Sequence, residues 1–394
     1  MVVKKLRYLD YYILVPYLIL IAIGVVMVYS ASAYWIQNQY GQAETSVMIR
    51  QIAFAVAGFM IAAFFYYFKL DVFTHPRAQK IMWIATFGLL IYLTVLSHFR
   101  PSAAVNGATA WIQLGPIHIQ PTELAKMTVI LYLAHMFSSR QKTLVDPDFT
   151  FKRLSQPLLM VGFCILLVFF QPDTGGAAII LGITVVMLAA SGIKVIYGVS
   201  WAGLLAVLLG AGYWVLSNVS FPKSWQQSYQ VRRLLAAVHP FAMRKLEGNQ
   251  VVNSLVAIAH GGFFGVGLGN SSQKLGYLPE PYTDFILAVI SEELGMVGAL
   301  VVVGLIFFLI LRFYLIGVRA KHTYQALIAY GIATMMLIQT VFNVGAVLGL
   351  IPVTGVTLPF ISYGGSSLLV LSAAMGIMLN ISAQQQRAKA KKEA

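Results

Sequence analysis

One group of chemically active side chains opens an apolar run of the chain, in residues 120–126. Pro121 suits the first position of a helix, which places Glu123 near the positive end of the helix dipole. Glu123 and Lys126 are three residues apart and therefore share one face of that helix. We expect them to form an ion pair that faces a cavity and contacts a charged substrate. A capping glutamate with a lysine reaching toward water is the alternative.

Three further acidic residues follow a proline-rich turn and suit general-base chemistry. Asp284 falls where the next apolar helix is predicted to begin, so its carboxylate would lie at the water boundary. Helix geometry puts Glu292 roughly 12 Å deeper and turns Glu293 to the opposite side. We therefore expect Asp284 and Glu292 to border one substrate cavity while Glu293 packs elsewhere. Capping of the helix by Asp284 is the alternative.

Two segments rich in turn residues complete the polar groups. Asp173, in a tight turn, either caps the following helix or binds a ligand. Residues 349–367 hold two prolines and four glycines and cannot form one continuous helix. Irregular backbone at membrane depth is tolerated only when it is buried in protein or lines a wet cavity. The hydroxyls of Ser362, Ser366 and Ser367 could then hold a phosphate, and an ordinary loop is the alternative.

The composition predicts that membrane helices position these residues. Hydrophobic residues make up 59% of the chain, charged residues 10%, and the mean hydropathy is +0.78. In soluble domains, hydrophobic residues make up roughly 45–50% and charged residues about 25%. These values exclude a cytosolic enzyme, a disordered protein and a secreted disulfide scaffold. The single cysteine, Cys164, excludes an intrachain disulfide and a cysteine-based metal site, and the spacing of the histidines indicates no zinc site.

Ten apolar runs of about bilayer length predict an all-α polytopic membrane protein, with one domain over residues 1–394. The runs lie near 11–32, 48–68, 79–98, 121–138, 156–171, 174–191, 194–217, 284–311, 324–349 and 364–383.

The distribution of lysine and arginine places both termini in the cytoplasm. One long loop, about 218–283, is then extracellular, and the basic tail 384–394 is cytoplasmic. All the polar groups described above lie at or open toward the outer face. Because most of the net charge of +14 follows from this topology, nucleic acid is not needed to explain it.

Several of these segments together resemble the SEDS family, whose members act in shape, elongation, division and sporulation. The resemblance runs in order through almost the whole chain, and residues 267–270 are more similar to the division subfamily, FtsW, than to the elongation subfamily, RodA. The matching segments are 106–111, 120–126, 171–173, 273–285, 292–295 and 359–367.

The resemblance implies a peptidoglycan glycosyltransferase that polymerises lipid II at the outer face of the bacterial cytoplasmic membrane during division. It implies a class B penicillin-binding protein as partner, along with other division or elongation proteins and membrane lipids. Asp284 matches the family's essential aspartate, and Glu123 and Lys126 match its functional pair. Two positions depart from the family: Ala110 stands where a basic residue is common, and His260 stands where serine is usual.

The chemistry implied is attack of a sugar hydroxyl on an anomeric carbon as a lipid pyrophosphate leaves. Asp284 is the expected general base. A divalent cation, Mg²⁺ or Mn²⁺, could assist through the pyrophosphate and a carboxylate, without a dedicated metal site in the protein. A transporter that flips the lipid-linked precursor is the alternative function. The cations available for the pyrophosphate are Lys126, Lys274, Arg232 and Arg233.

Overall fold

The computed structural model describes residues 7–41, 43–99, 111–114, 117–146, 154–219, 229–244 and 248–393. The described part is almost entirely helical, apart from one short antiparallel hairpin, β1 (Ile112–Leu114) with β2 (Ile117–Ile119), and a 3₁₀ turn at Leu70–Thr74. The helices are α1 (Tyr11–Tyr40), α2 (Ser46–Tyr67), α3 (Pro76–Phe99), α4 (Pro121–Ser139), α5 (Gln141–Leu144), α6 (Ser155–Phe170), α7 (Thr174–Ala189), α8 (Val195–Asn218), α9 (Tyr229–Val238), α10 (Gly248–Gly261), α11 (Ile286–Val318), α12 (Thr323–Val347) and α13 (Gly365–Glu393).

Each of the ten predicted apolar runs coincides with a helix, which confirms a helical membrane protein. Six helices, α1, α2, α3, α11, α12 and α13, are long and apolar enough to cross a bilayer. Helices α6 and α7 are apolar but have only 16 residues each. Large apolar side chains are exposed along α1, α2, α3, α6 and α11, as expected for surfaces that face lipid.

Helix α4 lies at the centre of the bundle. It packs against α12 and α7, and its residues are buried almost continuously from Pro121 to Ala134. A helix that is buried on all sides must satisfy any charge it carries within the protein. This position therefore makes Glu123 and Lys126 interior groups.

Helix α11 is broken at Gly295, whose φ of 71° and ψ of −175° are not helical. The segment 262–267, which follows α10, binds to the break. The amides of Val266 and Gly267 donate to the carbonyls of Glu292 and Glu293, at 3.0 Å each. The amides of α11 on the far side of the break donate to Gly262 and Phe263, at 2.9 and 3.3 Å. Neighbouring protein thus satisfies the backbone groups that the break would otherwise leave unpaired.

The long loop predicted at about 218–283 contains structure of its own, α9 and α10. Helix α10 packs on α11. The residues that follow it wrap back over the break in α11 and lead to Asp284. The first part of the loop, 220–228, and Ala110 lie outside the described residues.

Candidate active site

The irregular segment 348–364, between α12 and α13, contacts the first turn of α7 and leads into α13, whose first turn contacts the start of α4. At the start of α7, a Cβ on Gly175 would lie 2.8 Å from Val356 and 2.9 Å from Thr354. At the start of α13, the Oγ of Ser366 accepts a hydrogen bond of 3.3 Å from the amide of Gln120, which caps α4. The predicted break between α12 and α13 is confirmed, and residues 358–362 of it are buried in the protein.

Glu123 and Lys126 form the predicted ion pair, with 2.8 Å between Nζ and Oε2. The residues are only 5% and 2% exposed. An isolated charge at this depth would be strongly unfavourable, whereas a paired one is tolerated. The alternative, in which the lysine reaches water, is therefore wrong.

Asp173 joins α7 to α4. Its Oδ1 accepts the amide of Gly176 at 2.8 Å, which confirms the predicted helix cap. Its Oδ2 accepts the side-chain amide of Gln120 at 3.2 Å. A Cβ on Gly176 would lie 2.4 Å from Cγ2 of Thr122, so glycine permits this close approach. The cap thereby fixes Asp173 beside the turn that carries Glu123.

Asp284 lies two residues before α11. The capping residue of that helix is Phe285, and no side chain caps it, so the capping alternative for Asp284 is wrong. The side-chain amide of Asn343 on α12 donates to the backbone carbonyls of Asp284, at 2.8 Å, and Val356, at 2.9 Å. Asn343 therefore ties the aspartate to the segment 348–364.

The pKa of Asp284 is raised from 3.8 to about 7. Burial is the main cause, and the negative charge of Glu280 adds to it, while the cation of Arg233 opposes both. Arg232 and Arg233 are partly buried on α9. The structure thus brings Arg233 into the electrostatic environment of Asp284.

Ser362 of the segment and Ser367 of α13 both accept hydrogen bonds from groups of the segment. Oγ of Ser362 accepts the amide of Leu358 at 2.8 Å, and Oγ of Ser367 accepts the hydroxyl of Thr357 at 3.2 Å. Since each serine oxygen accepts in these bonds, its hydroxyl proton can still donate to a ligand.

Glu292 lies in a different cluster from Asp284. It is fully buried and accepts hydrogen bonds from the hydroxyls of Ser271 and Ser272 and from the amides of Ser272 and Gln273. His260, where serine was expected, places its Nδ1 2.8 Å from the same carboxylate. The expectation that Glu292 borders a cavity with Asp284 is wrong, because the loop 271–273 occupies its oxygens.

Lys274 also has a protein partner. Its Nζ lies 2.6 Å from Oε1 of Glu293 and donates to Ser30 of α1 at 3.0 Å. Glu293 therefore packs elsewhere, as predicted. Lys274 is 6% exposed, so its charge is committed to holding the loop against α1 and α11.

Asn343 is a positioning residue that was not singled out from the sequence, whereas Gln120 was included in the segment 120–126 without a role of its own. A signal for Asn343 exists, since an amide within an apolar helix must find polar partners. Among the described residues, no group of three or more histidine, cysteine or acidic side chains could hold a metal ion.

Comparison with known proteins agrees with this architecture. The FtsW of Lactococcus lactis subsp. lactis (strain IL1403), named "Probable peptidoglycan glycosyltransferase FtsW", is 39% identical over 399 residues, covering 98% of this chain and 94% of that protein. The crystal structure of Thermus thermophilus RodA superposes with a TM-score of 0.65 at 25% identity, covering 96% of this chain and 97% of that one.

A second solved structure, described as "Structural coordination of polymerization and crosslinking by a peptidoglycan synthase complex", superposes with a TM-score of 0.73 at 26% identity and covers 96% and 98% of the two chains. The model of the family FtsW, RodA and SpoVE, described as "Cell cycle protein", matches residues 11–387. With this match along nearly its whole length, and a relative 39% identical over the same extent, the chain belongs to the FtsW–RodA–SpoVE family.

Proposed function

We propose that this chain is a peptidoglycan glycosyltransferase that polymerises lipid II, with Asp284 as general base. The observation that carries the proposal is the environment of Asp284: it is tethered through Asn343, it lies near Arg233, and its pKa is raised to about 7. A base works best when its pKa lies near the operating pH. The names of the relatives, which are bacterial FtsW proteins, support the same reaction.

In the proposed reaction a sugar hydroxyl attacks the anomeric carbon of lipid II. The hydroxyl proton moves to the carboxylate of Asp284 as the new carbon–oxygen bond forms. The bond from the anomeric carbon to the pyrophosphate breaks, and the leaving group carries away the electron pair. Cations stabilise the charge that develops there, so no second carboxylic acid is needed.

The cations proposed to hold the pyrophosphate are Lys126, Arg232 and Arg233. Glu123 orients Lys126, and the buried position of the pair keeps the ammonium from being fully hydrated. Asp173 fixes the first turn of α4 through Gln120. The hydroxyls of Ser362 and Ser366, together with backbone donors of the irregular segment, are proposed to complete the phosphate site.

Lys274 and Glu292 are assigned a structural role. Lys274 is paired with Glu293, and Glu292 is saturated by the loop 271–273. Together they fix the loop that leads to Asp284. We expect substitution of Lys274 or Glu292 to destabilise the folded protein, and to lower its activity only because the fold is destabilised.

The proposed topology has ten membrane helices in one domain, with both termini cytoplasmic and the loop at about 218–283 outside. Helices α4, α6, α7 and α8 supplement the six that are long and apolar. A class B penicillin-binding protein is the proposed partner, supported by a similar solved structure that concerns a peptidoglycan synthase complex. Division is the proposed context, supported by the FtsW relatives.

The test is polymerisation of labelled lipid II by the purified protein, with and without the partner transpeptidase. Asp284→Asn should lower turnover by roughly 10²–10⁴-fold while lipid II binding is retained. Asp71→Asn, an exposed aspartate in the 3₁₀ turn, is the matched control and should be active. Near-normal polymerisation by well-folded Asp284→Asn would contradict the assignment, and flipping in sealed vesicles without polymer would favour the transporter.

A further inference from the structure

A basic cavity of about 740 Å³ lies where α11 ends, α12 begins and α13 ends. None of the described residues that line it is acidic. The cavity lies at the opposite ends of α11, α12 and α13 from the residues of the proposed active site. The basic side chains considered below are Arg312 of α11, Arg319 at its C-terminal cap, Lys321 of the linker, and Arg387, Lys391 and Lys392 of α13.

Arg312 lines the cavity and is paired with Asp10, which precedes α1. One of its terminal nitrogens lies 2.7 Å from Oδ2 of Asp10, and the hydroxyl of Ser382 donates to that same oxygen. The Nε of Arg312 is buried and has no hydrogen-bond partner among the described atoms. A buried donor without a partner is unfavourable.

The outer part of the cavity concentrates positive charge. The pKa of Lys321 is lowered, chiefly by the nearby cation of Lys392. Such repulsion indicates that the two ammonium groups lie close together and that nearby negative charge does not neutralise both of them. The nearest acidic partner on α13, Glu393, lies 3.8 Å from Lys389 in a highly exposed pair, so solvent screens it.

One side of the cavity continues into a surface that faces lipid. Two adjacent stripes of α11 meet here, because residues spaced by four and then three lie along one line of a helix. The stripe on the cavity is Arg312, Ile316 and Arg319. The neighbouring stripe is apolar and exposed by 62%, 46% and 70% at Leu311, Leu315 and Val318.

We propose that this cavity binds the phosphate headgroup of an anionic phospholipid, whose acyl chains lie along the apolar stripe of α11. Guanidinium groups bind phosphate oxygens in a bidentate fashion, and lysines add point charges. Basic pockets between membrane helices suit acidic lipid headgroups. A free phosphate ion would neutralise the cations but would not contact the adjacent apolar stripe. A phospholipid would contact both surfaces, and we therefore favour it.

The test measures lipid retention by the full-length protein. The protein is reconstituted with equal amounts of phosphatidylglycerol and phosphatidylcholine, extracted in mild detergent and analysed by native mass spectrometry. The wild type should retain phosphatidylglycerol preferentially. The variant R319Q/K321Q/R387Q should lose that retention by about tenfold or more, since each cation near an acidic lipid contributes to binding.

The matched control is K69Q/R77Q/K80Q, which removes the same charge from exposed positions on the same predicted side of the membrane. It should retain the lipid, and thermal midpoints of both variants should match the wild type. Equal retention by both triple variants, or no preference in the wild type, would overturn the proposal. Displacement of the lipid by millimolar inorganic phosphate would show a site for small anions and would overturn the lipid assignment.

Discussion

Asp284 and Glu292 are eight residues apart, yet their surroundings give the two carboxylates different roles. Glu292 is enclosed by donors from the loop 271–273, which fix its oxygens. Asp284 is desolvated and lies near Glu280, so its proton is held until the pH reaches about 7. A carboxyl group with this pKa can both accept and release a proton under physiological conditions, which Glu292 is not free to do.

We predict that Asp284→Asn stabilises the folded protein in a pH-dependent way. The pKa of Asp284 is about 7 in the folded protein, against 3.8 for the free side chain. The folded state therefore holds the proton more tightly, and the wild type loses stability as the pH rises from about 4 to about 7. Asparagine does not titrate, so the stability advantage of the variant should grow over this interval and stay constant above it.

Thermal unfolding of both proteins in one detergent, from pH 4 to 8, measures this difference. The Asp71→Asn variant controls for general charge effects and should show no such growth. A constant offset between wild type and Asp284→Asn over the whole range would mean that burial does not hold the proton.

We predict strong coupling between Glu123 and Lys126. Removing one partner leaves a buried charge unpaired, at a cost of roughly 3–5 kcal/mol if the site is fully desolvated. Glu123→Ala and Lys126→Ala should each be strongly destabilising, and the double variant should be much less destabilised than their sum. A double-mutant cycle of unfolding free energies measures the coupling.

The exposed pair Lys389–Glu393 serves as the internal control for this cycle. Its side chains are 80% and 65% exposed and its atoms 3.8 Å apart, so removing either partner should change stability little. Additive losses at Glu123 and Lys126 would show that the two charges do not depend on each other.

At the scale of helices, the apolar runs predicted the elements well because hydropathy over bilayer length is a strong signal. The break in α11 could not be predicted in this way, since Gly295 lies in a run that reads as continuous helix. The break depends on a partner segment, 262–267, that supplies hydrogen bonds from outside the helix. The hydropathy pattern of a single helix carries no information about a partner segment elsewhere in the chain.

The same distinction holds for the site. The Glu123–Lys126 pair could be predicted from helix spacing, and the cap at Asp173 from its position before a helix. The surroundings of Glu292 and Lys274 could not, because their partners come from a loop and from α1. Lys274 and Glu292, which were predicted to bind substrate, instead form an ion pair and hydrogen bonds with other parts of the protein.

We predict that Gly295→Ala disrupts the structure whereas Gly304→Ala, in the same helix, does not. A Cβ at Gly295 would lie 2.4 Å from Gly265 N and from Phe263 O, and the φ of 71° disfavours any L side chain. At Gly304 nothing lies within 4 Å, and alanine favours helix by about 1 kcal/mol over glycine.

Yield of folded protein and thermal midpoint distinguish the two variants. Gly295→Ala should lower both, while Gly304→Ala should be neutral or slightly stabilising. A well-folded Gly295→Ala protein of normal stability would show that α11 can continue through the break.

At the scale of the whole molecule, the segment 348–364 links the helices that carry the candidate site. It touches the start of α7 through Thr354 and Val356, and it is tied to Asp284 through Asn343. Ser366, which follows it in the first turn of α13, contacts the start of α4. All these contacts lie at one end of the bundle, whereas the basic cavity lies at the other ends of α11, α12 and α13. The proposed chemistry therefore requires that the first end face outward.

We predict that cysteines in a Cys164→Ala background report this orientation. Leu268→Cys and Leu350→Cys, at exposed positions near the site, should react in intact cells with a thiol reagent that does not cross the membrane. Lys142→Cys and Lys321→Cys, also exposed, should react only after the membrane is permeabilised. The reversed pattern would place the candidate site in the cytoplasm, away from the growing cell wall.

The break in α11 also has a consequence for biosynthesis. The segment 262–267 precedes α11 in the chain, so during translation it emerges from the ribosome before the helix that needs it. When α11 enters the bilayer, the segment 262–267 has already been synthesised. Its backbone donors and acceptors can then pair with the groups of α11 that the break leaves without helical hydrogen bonds. Moving this segment to the C-terminal side of α11 by circular permutation would leave the nascent helix with unpaired backbone groups in hydrocarbon, and we expect insertion of that chain to fail.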